Sequence, residues 1–357
     1  MDRRKISVLV VDDSRVIRNF LTGILSSDEE IQVVGTAGSC DEALESLKRC
    51  KPDVVTMDIH MPGLDGFETT RSILKLYSIP IVIVSGFYQP SEVAMAFKAL
   101  EVGAVTILPR PSGIGSPDHQ ESARKFIKNI KLMSEIRVVR RFSHDPVDNV
   151  TVSRTSVPFQ AAASSLPQLS GIQIVVIGAS AGGPQALQEI ITGLPVNFPL
   201  PILIVQHIDA GFAAGFTVWL QEITGKKITL AKDGTDLAKG GIFLPPGDHH
   251  LGVGPDGKIS LSKDPPERNL RPSVSFLFRS AIRVFGNRVL GILLTGMGSD
   301  GAKELTLIRE AGGITIAQDM ATSLVHGMPG EAIRMGGAMH IFSPNQIIQF
   351  IKNLKAD

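Results

Sequence analysis

Short apolar runs rich in β-branched residues alternate with longer amphipathic stretches along almost the whole chain. From residue 6 to about 112 the runs are "ISVLVVDD", "IQVVGTA", "PDVVTMD", "IPIVIVSG" and "GAVTILPRP". Uninterrupted apolar runs mark strands buried on both faces, and helical segments between them predict a doubly wound parallel sheet. From 172 onward the alternation resumes with "IQIVVIG", "LPILIVQH", "GGIFLPP", "RVLGILLTG" and "GGITIAQD". Between the two, residues 143–171 are rich in Ser, Thr, Pro and small residues and show no sustained period, which is linker composition. Residues 123–141, "ARKFIKNIKLMSEIRVVRR", read as one amphipathic helix with a basic face, either solvated or docked on an acidic partner. The expected organisation is therefore two doubly wound α/β domains, over 1–122 and 171–357, joined by a basic helix and flexible linker over 123–170.

Composition narrows the function classes. The chain has 357 residues, 43% hydrophobic and 20% charged, enough apolar content for two sizeable cores. A formal net charge of +1 gives no global field towards nucleic acid, and the second half has no helix-turn-helix stretch flanked by a basic stripe. The apolar runs fall well short of the ~20 residues that span a bilayer, and no signal peptide is evident. Cys40 and Cys50 stand without a His or Cys cluster, so neither zinc nor a disulfide framework is indicated. The expectation is a cytoplasmic protein without direct membrane insertion.

Three acidic residues close apolar strands in the first domain: Asp12 and Asp13 after "VLVV", and Asp58 after "VVTM". In a parallel sheet the carboxyl ends of the strands face one crevice, where the three can converge. Clustered carboxylates repel unless a divalent cation neutralises them, and Mg²⁺ favours a few carboxylates with water and a phosphate. A carboxylate beside Mg²⁺ can attack a phosphoryl group and form an acyl phosphate. Ser85, ending the fourth strand, and Arg110, after the fifth, are placed to bond the phosphoryl oxygens.

In the second half, "IGASAGGPQA" runs from strand through a tight turn into a helix. A dinucleotide fingerprint needs glycine at the middle position, which is Ser180 here, and no Lys-Ser or Lys-Thr follows to make a Walker loop. Two readings remain: Ser180 caps the helix, or "GASAG" presents it as a nucleophile at a strand-to-helix turn. A serine nucleophile needs a base, and the next strand ends in His207; His249, His250, His326 and His340 are competitors. A third strand runs into "MGSDG", where Asp300 is suited to orient His207, and a peptide N–H such as that of Met297 is suited to an oxyanion. Three strand ends delivering Ser180, His207 and Asp300 favour the nucleophile. Their chain order differs from that of α/β-hydrolases, which points to a separate, Rossmann-like solution.

Two resemblances follow. "VVDDS", "DVVTMDIHMPGLDGFE", "VSG" and "GAVTILPRP" resemble the flavodoxin-like receiver domain of two-component response regulators over roughly 5–115. The resemblance implies Asp58 as phosphoacceptor, with Asp13, Asp58 and the backbone carbonyl of His60 around Mg²⁺ and Asp12 assisting. Arg110 stands where the family usually has lysine, and Ile107 where an aromatic is common. "VVIGASAGGPQAL", "PILIVQHIDAGFAAGF", "GIFLPPGDHHL", "RPSVSFLF", "ILLTGMGSDGAKEL" and "TIAQDMATSLVHGMPGEAI" resemble the catalytic domain of chemotaxis-type protein-glutamate methylesterases. This implies Ser180, His207 and Asp300 as the triad, Met297 as an oxyanion donor, and γ-glutamyl methyl esters on chemoreceptor cytoplasmic helices as substrate. Deamidation of receptor glutamines and a histidine kinase as phosphodonor are implied alongside, with no cofactor for the ester step. Ala181 replaces a threonine common in that family. The rival expectation is a response regulator whose second domain binds a nucleotide or partner without chemistry.

Overall fold

The computed structural model describes residues 4–59, 61, 66–86, 90–136, 171–237 and 241–354. His60 and the expected linker up to residue 170 lie outside the described residues. The first unit is a five-stranded parallel sheet of β1 (Ile6–Val11), β2 (Ile31–Ala37), β3 (Val54–Met57), β4 (Ile81–Ser85) and β5 (Thr106–Pro109), in the order β2-β1-β3-β4-β5. Helices α1 (Arg15–Ser26), α2 (Cys40–Arg49), α3 (Gly66–Leu76) and α4 (Pro90–Glu101) alternate with the strands. Local chemistry agrees with the fold at α2. Ser39 caps it by accepting from Glu42 N–H, acidic Asp41 and Glu42 open it, and Lys48 and Arg49 close it, each charge matched to the helix dipole.

The helix expected over 123–141 begins earlier, as α5 (His119–Ser134). Its apolar stripe, Phe126, Ile130 and Met133, is buried in one apolar cluster with Val8, Val10, Leu21 and Val82 of the first unit. It is thus the last helix of that unit, and the boundary placed at 122 falls within its first turn. The basic face is partly used: Lys131 pairs with Asp28 at 2.7 Å and Glu30 at 2.6 Å.

The second unit is a seven-stranded parallel sheet in the order β14-β13-β12-β6-β7-β9-β8. Its strands are β6 (Ile174–Ala179), β7 (Ile202–Gln206), β8 (Ile228–Leu230), β9 (Ile242–Leu244), β12 (Val289–Leu293), β13 (Ile314–Gln318) and β14 (His340–Phe342). An antiparallel hairpin, β10 (His250–Val253) and β11 (Ile259–Ser262), packs beside α8 (Val274–Phe285). The chain runs from β6 outward through β7, then returns to add β12 and β13 on the other side. That reversal makes the β6/β12 junction a topological switch point, where doubly wound sheets open a crevice.

The two units meet along α4 of the first and α6 (Gly183–Gly193) and α7 (Ala213–Thr224) of the second. Phe97 lies 5.0 Å from Phe216 and 5.5 Å from Trp219, ring centre to ring centre. Trp219 Nε1–H donates to Glu101 Oε1 at 2.9 Å, and Gln185 Nε2 donates to the carbonyls of Leu100 and Ala104. Lys125 of α5 pairs with Asp209 at 3.3 Å. Ala181, Leu324 and Val325 of the second unit pack against the apolar cluster of the first.

Candidate active site and phosphoacceptor site

Ser180 follows β6 directly. Its N–H donates to Thr295 O at 3.0 Å, while its carbonyl accepts from Gly183 N at 2.8 Å and from Gln206 Nε2 at 2.8 Å. The N-cap of α6 is Gly182, at φ 77°, with no side-chain cap, so the capping account of Ser180 falls. Gly296 is required by proximity: a Cβ there would stand 2.7 Å from Ser180 Cβ. Among the described residues, neither the Ser180 hydroxyl nor the N–H groups of Ala181 and Met297 has a hydrogen-bond partner.

His207 follows β7, its N–H bonded to Ala179 O at 2.9 Å. Its Nε2 lies 2.9 Å from Asp300 Oδ2. A carboxylate only accepts, so Nε2 carries the proton and Nδ1 holds the lone pair that can act as base. The competing histidines are occupied elsewhere. His250 is fully buried, stacks on Phe276 and accepts from Ser273 N–H. His249 meets Gly247 O, His326 meets Ser323 Oγ, and His340 stacks on Phe342.

Asp300, almost fully buried, lies at the N-terminus of α8. Oδ1 accepts from Ser273 Oγ at 3.0 Å and Ser275 N–H at 3.1 Å; Oδ2 accepts from Val274 N–H at 2.7 Å as well as from His207. Burial pushes its pKa up, but His207, Ser275 and the Val274 N–H outweigh it and hold the carboxyl well below the ordinary carboxylate range. The structure thus brings Ser180, His207, Asp300 and Met297 to the ends of β6, β7 and β12. The stretch "RPSVS" carries a function that the strand pattern does not reveal. Ser273 caps α8, accepting from Phe276 N–H, and the capped end is what receives Asp300.

In the first unit the carboxylate oxygens of Asp12, Asp13 and Asp58 lie within 4.8 Å of one another. Asp12 is pushed up to about 6 by burial and then by Asp58, with Ser14 N–H and Arg110 opposing. Among the described residues its Oδ2 is buried without a hydrogen bond, and Arg110 Nη2 stands 3.6 Å away. Crowded oxygen donors with an unsatisfied lone pair fit a small divalent cation. Ser85 is buried at the end of β4, and Arg110 packs over Gly86. Ile107 is buried in β5.

Fold and site together are those expected of a serine hydrolase carried behind a phosphoacceptor module. The chain matches the family model described as CheB methylesterase over residues 175–351 and that of the response regulator receiver domain over 8–116. It is 47% identical over 350 residues to protein-glutamate methylesterase/protein-glutamine glutaminase 4 of Geobacter metallireducens, covering 98% of this chain and 99% of the relative. A Nitrosospira multiformis protein of the same name is 47% identical over 352 residues, covering 99% and 98%. The solved catalytic domain of Thermotoga maritima CheB methylesterase is 36% identical with a TM-score of 0.50, covering 52% of this chain and 99% of that one. The chain belongs to the CheB methylesterase family.

Proposed function

We propose that this protein is a phosphorylation-regulated protein-glutamate methylesterase that hydrolyses γ-glutamyl methyl esters on chemoreceptor cytoplasmic helices and deamidates receptor glutamines. The carrying observation is the His207–Asp300 pair at 2.9 Å beside Ser180, with N–H groups at Ala181 and Met297 that have no partner among the described residues. Ser180 Oγ attacks the ester carbonyl as His207 Nδ1 takes its proton. The N–H groups of Ala181 and Met297 hold the oxyanion. The protonated imidazole returns its proton to the leaving oxygen, and methanol departs. Water, deprotonated by His207, then cleaves the acyl-enzyme, leaving a glutamate side chain and free Ser180. A glutamine substrate follows the same course with ammonia leaving.

In the receiver, Asp58 is the phosphoacceptor, supplied by a histidine kinase. Asp13, Asp58 and the His60 carbonyl would hold Mg²⁺, whose charge offsets that of the incoming phosphoryl group. Asp12 flanks it, and Ser85 and Arg110 bond the phosphoryl oxygens. The receiver restrains the esterase in its unphosphorylated form. Ala181, next to the nucleophile, packs against the receiver's cluster, so a substrate helix and the receiver compete for one surface. Among the described residues no helix is long and apolar enough to cross a membrane.

The deciding experiment measures methanol release from methyl-esterified receptor fragments, with and without Mg²⁺ and a small phosphodonor. Release that rises with the phosphodonor and is lost in Ser180→Ala is the expected result. Release that survives in Ser180→Ala would remove the esterase mechanism. Release indifferent to the phosphodonor would remove the account of the receiver.

A further inference from the structure

Asp300 and Met297 share one short loop, and that loop has little stiffness of its own. Gly298 at φ 83° and Gly301 at φ 82° flank Ser299 and Asp300 in conformations that glycine adopts freely. Whatever fixes the loop must act from outside it. Ser275, in the first turn of α8, does so twice. Its N–H donates to Asp300 Oδ1 at 3.1 Å, and its Oγ accepts the N–H of Gly301 at 3.0 Å. The same hydroxyl donates to Glu304 Oε2 at 2.6 Å. Glu304 lies in the first turn of α9 (Ala302–Glu310), and its Oε1 accepts from Arg279 Nη1 at 3.2 Å. The other end of the Arg279 fork reaches Glu267.

Ser275 and Glu304 are each only 7% exposed. A buried carboxylate is costly unless several donors meet it, and an apolar residue at 304 would fill the space without that cost. Glu304 instead faces the hydroxyl of the residue whose N–H holds the Asp300 carboxylate and whose Oγ holds the Gly301 N–H that follows it. We infer that Ser275, backed by Glu304 and Arg279, is a positioning residue for the esterase reaction. Its N–H sets the Asp300 carboxylate, and its hydroxyl sets the backbone that follows. Through that loop it aligns the His207 imidazole and the Met297 N–H together. This rests on the assignment of Ser180, His207 and Asp300 as the triad.

The test uses the full-length protein, activated by phosphodonor, with methanol release followed across pH. In Ser275→Ala, kcat is expected to fall about 10- to 100-fold with KM within about twofold, since a misplaced reacting group costs turnover more than binding. The acid limb of kcat/KM moves to lower pH, because a displaced Asp300 stabilises the His207 imidazolium less. Ser275→Thr, which keeps the hydroxyl, recovers most of both. A folded Ser275→Ala with unchanged kcat and an unmoved limb overturns the inference, as does a loss that Thr fails to recover. Should Ser275→Ala lose its cooperative thermal transition, Glu304→Gln decides by the same two readouts. It weakens the hold on Ser275, and a smaller fall with the limb moved the same way is expected; no change in either overturns the inference. Full turnover in Ser180→Ala would instead strike the triad itself, so the two failures are separable.

Discussion

The two acidic sites occupy equivalent places in equivalent architectures, yet treat a buried carboxylate in opposite ways. Asp12 lies at the end of β1 beside two more carboxylates, with an unbonded Oδ2 and a pKa raised to about 6. Asp300 lies beyond β12 with four donors on its two oxygens and a pKa held well below the ordinary range. Burial acts alike on both, so the difference comes from the neighbours: like charge in one, a helix N-terminus and an imidazole in the other. The esterase site is preorganised from its own donors. The receiver site crowds three carboxylates, with Asp12 Oδ2 unbonded among the described residues, which suits the cation and phosphoryl group proposed for it.

The sharpest way to break this comparison is at Asp300. In Asp300→Asn the amide NH₂ must face either the N–H groups of α8 or His207. Turned towards His207, it makes Nε2 an acceptor and puts the proton on Nδ1, where no base remains for Ser180. The expected fall in kcat is about 10⁴-fold, read by methanol release at saturating substrate. A fall of less than about tenfold would mean that the carboxylate does not set the tautomer. Because Asp300 is held well below the ordinary carboxylate range, the acid limb of kcat/KM in the unaltered protein is not set by this carboxylate.

Asp12 sharpens the other side. Its folded pKa lies above its unfolded value, so the folded state binds the proton more tightly. Without Mg²⁺, stability is therefore highest below about pH 4 for this group and is lost as pH rises through about 6. After allowance for solvent screening the effect is about 1–2 kcal/mol, measured as the urea midpoint of the receiver transition at pH 5 and pH 8. Asp12→Asn should flatten this dependence, and Mg²⁺ should flatten it in the unaltered protein. A steep dependence surviving in Asp12→Asn would assign it to another group.

How much of this was legible in the sequence follows from what each feature depends on. Asp12, Asp58, Ser180 and His207 each stand directly beyond an apolar run, and Asp300 stands in the glycine-rich loop that follows one, so position after a strand and residue type pick them out. Strands β8 and β14 are no shorter than β9 but only partly buried, so they lack the continuous buried apolar run that marks β9. The support of Asp300 by α8 is less visible still. Ser273 reads as a helix cap, but nothing in the local pattern says that the capped end faces a carboxylate 27 residues away. The basic residues of α5 show the limit of face-by-face reading. Lys131 serves its own unit and Lys125 reaches Asp209 of the other, and only the packing of the units separates the two roles.

That packing carries the smallest expected effect and the link between the two sites. Trp219 is the chain's one tryptophan, and it is buried at the contact between α4 and α7 with its indole N–H on Glu101. Its emission therefore reports on that contact alone. Glu101→Ala leaves the indole N–H unpaired at a net cost of about 1 kcal/mol, enough to raise release without phosphodonor about fivefold. The emission should shift to the red, as it should when phosphodonor and Mg²⁺ are added to the unaltered protein. Lys125→Ala removes only an exposed ion pair, worth below about 1 kcal/mol and so less than about a fivefold gain. Release that rises with phosphodonor while Trp219 emission stays fixed would mean that the α4 contact holds. The receiver would then open on its α5 side, where Ala181 and Asp209 lie closest to the nucleophile and its base.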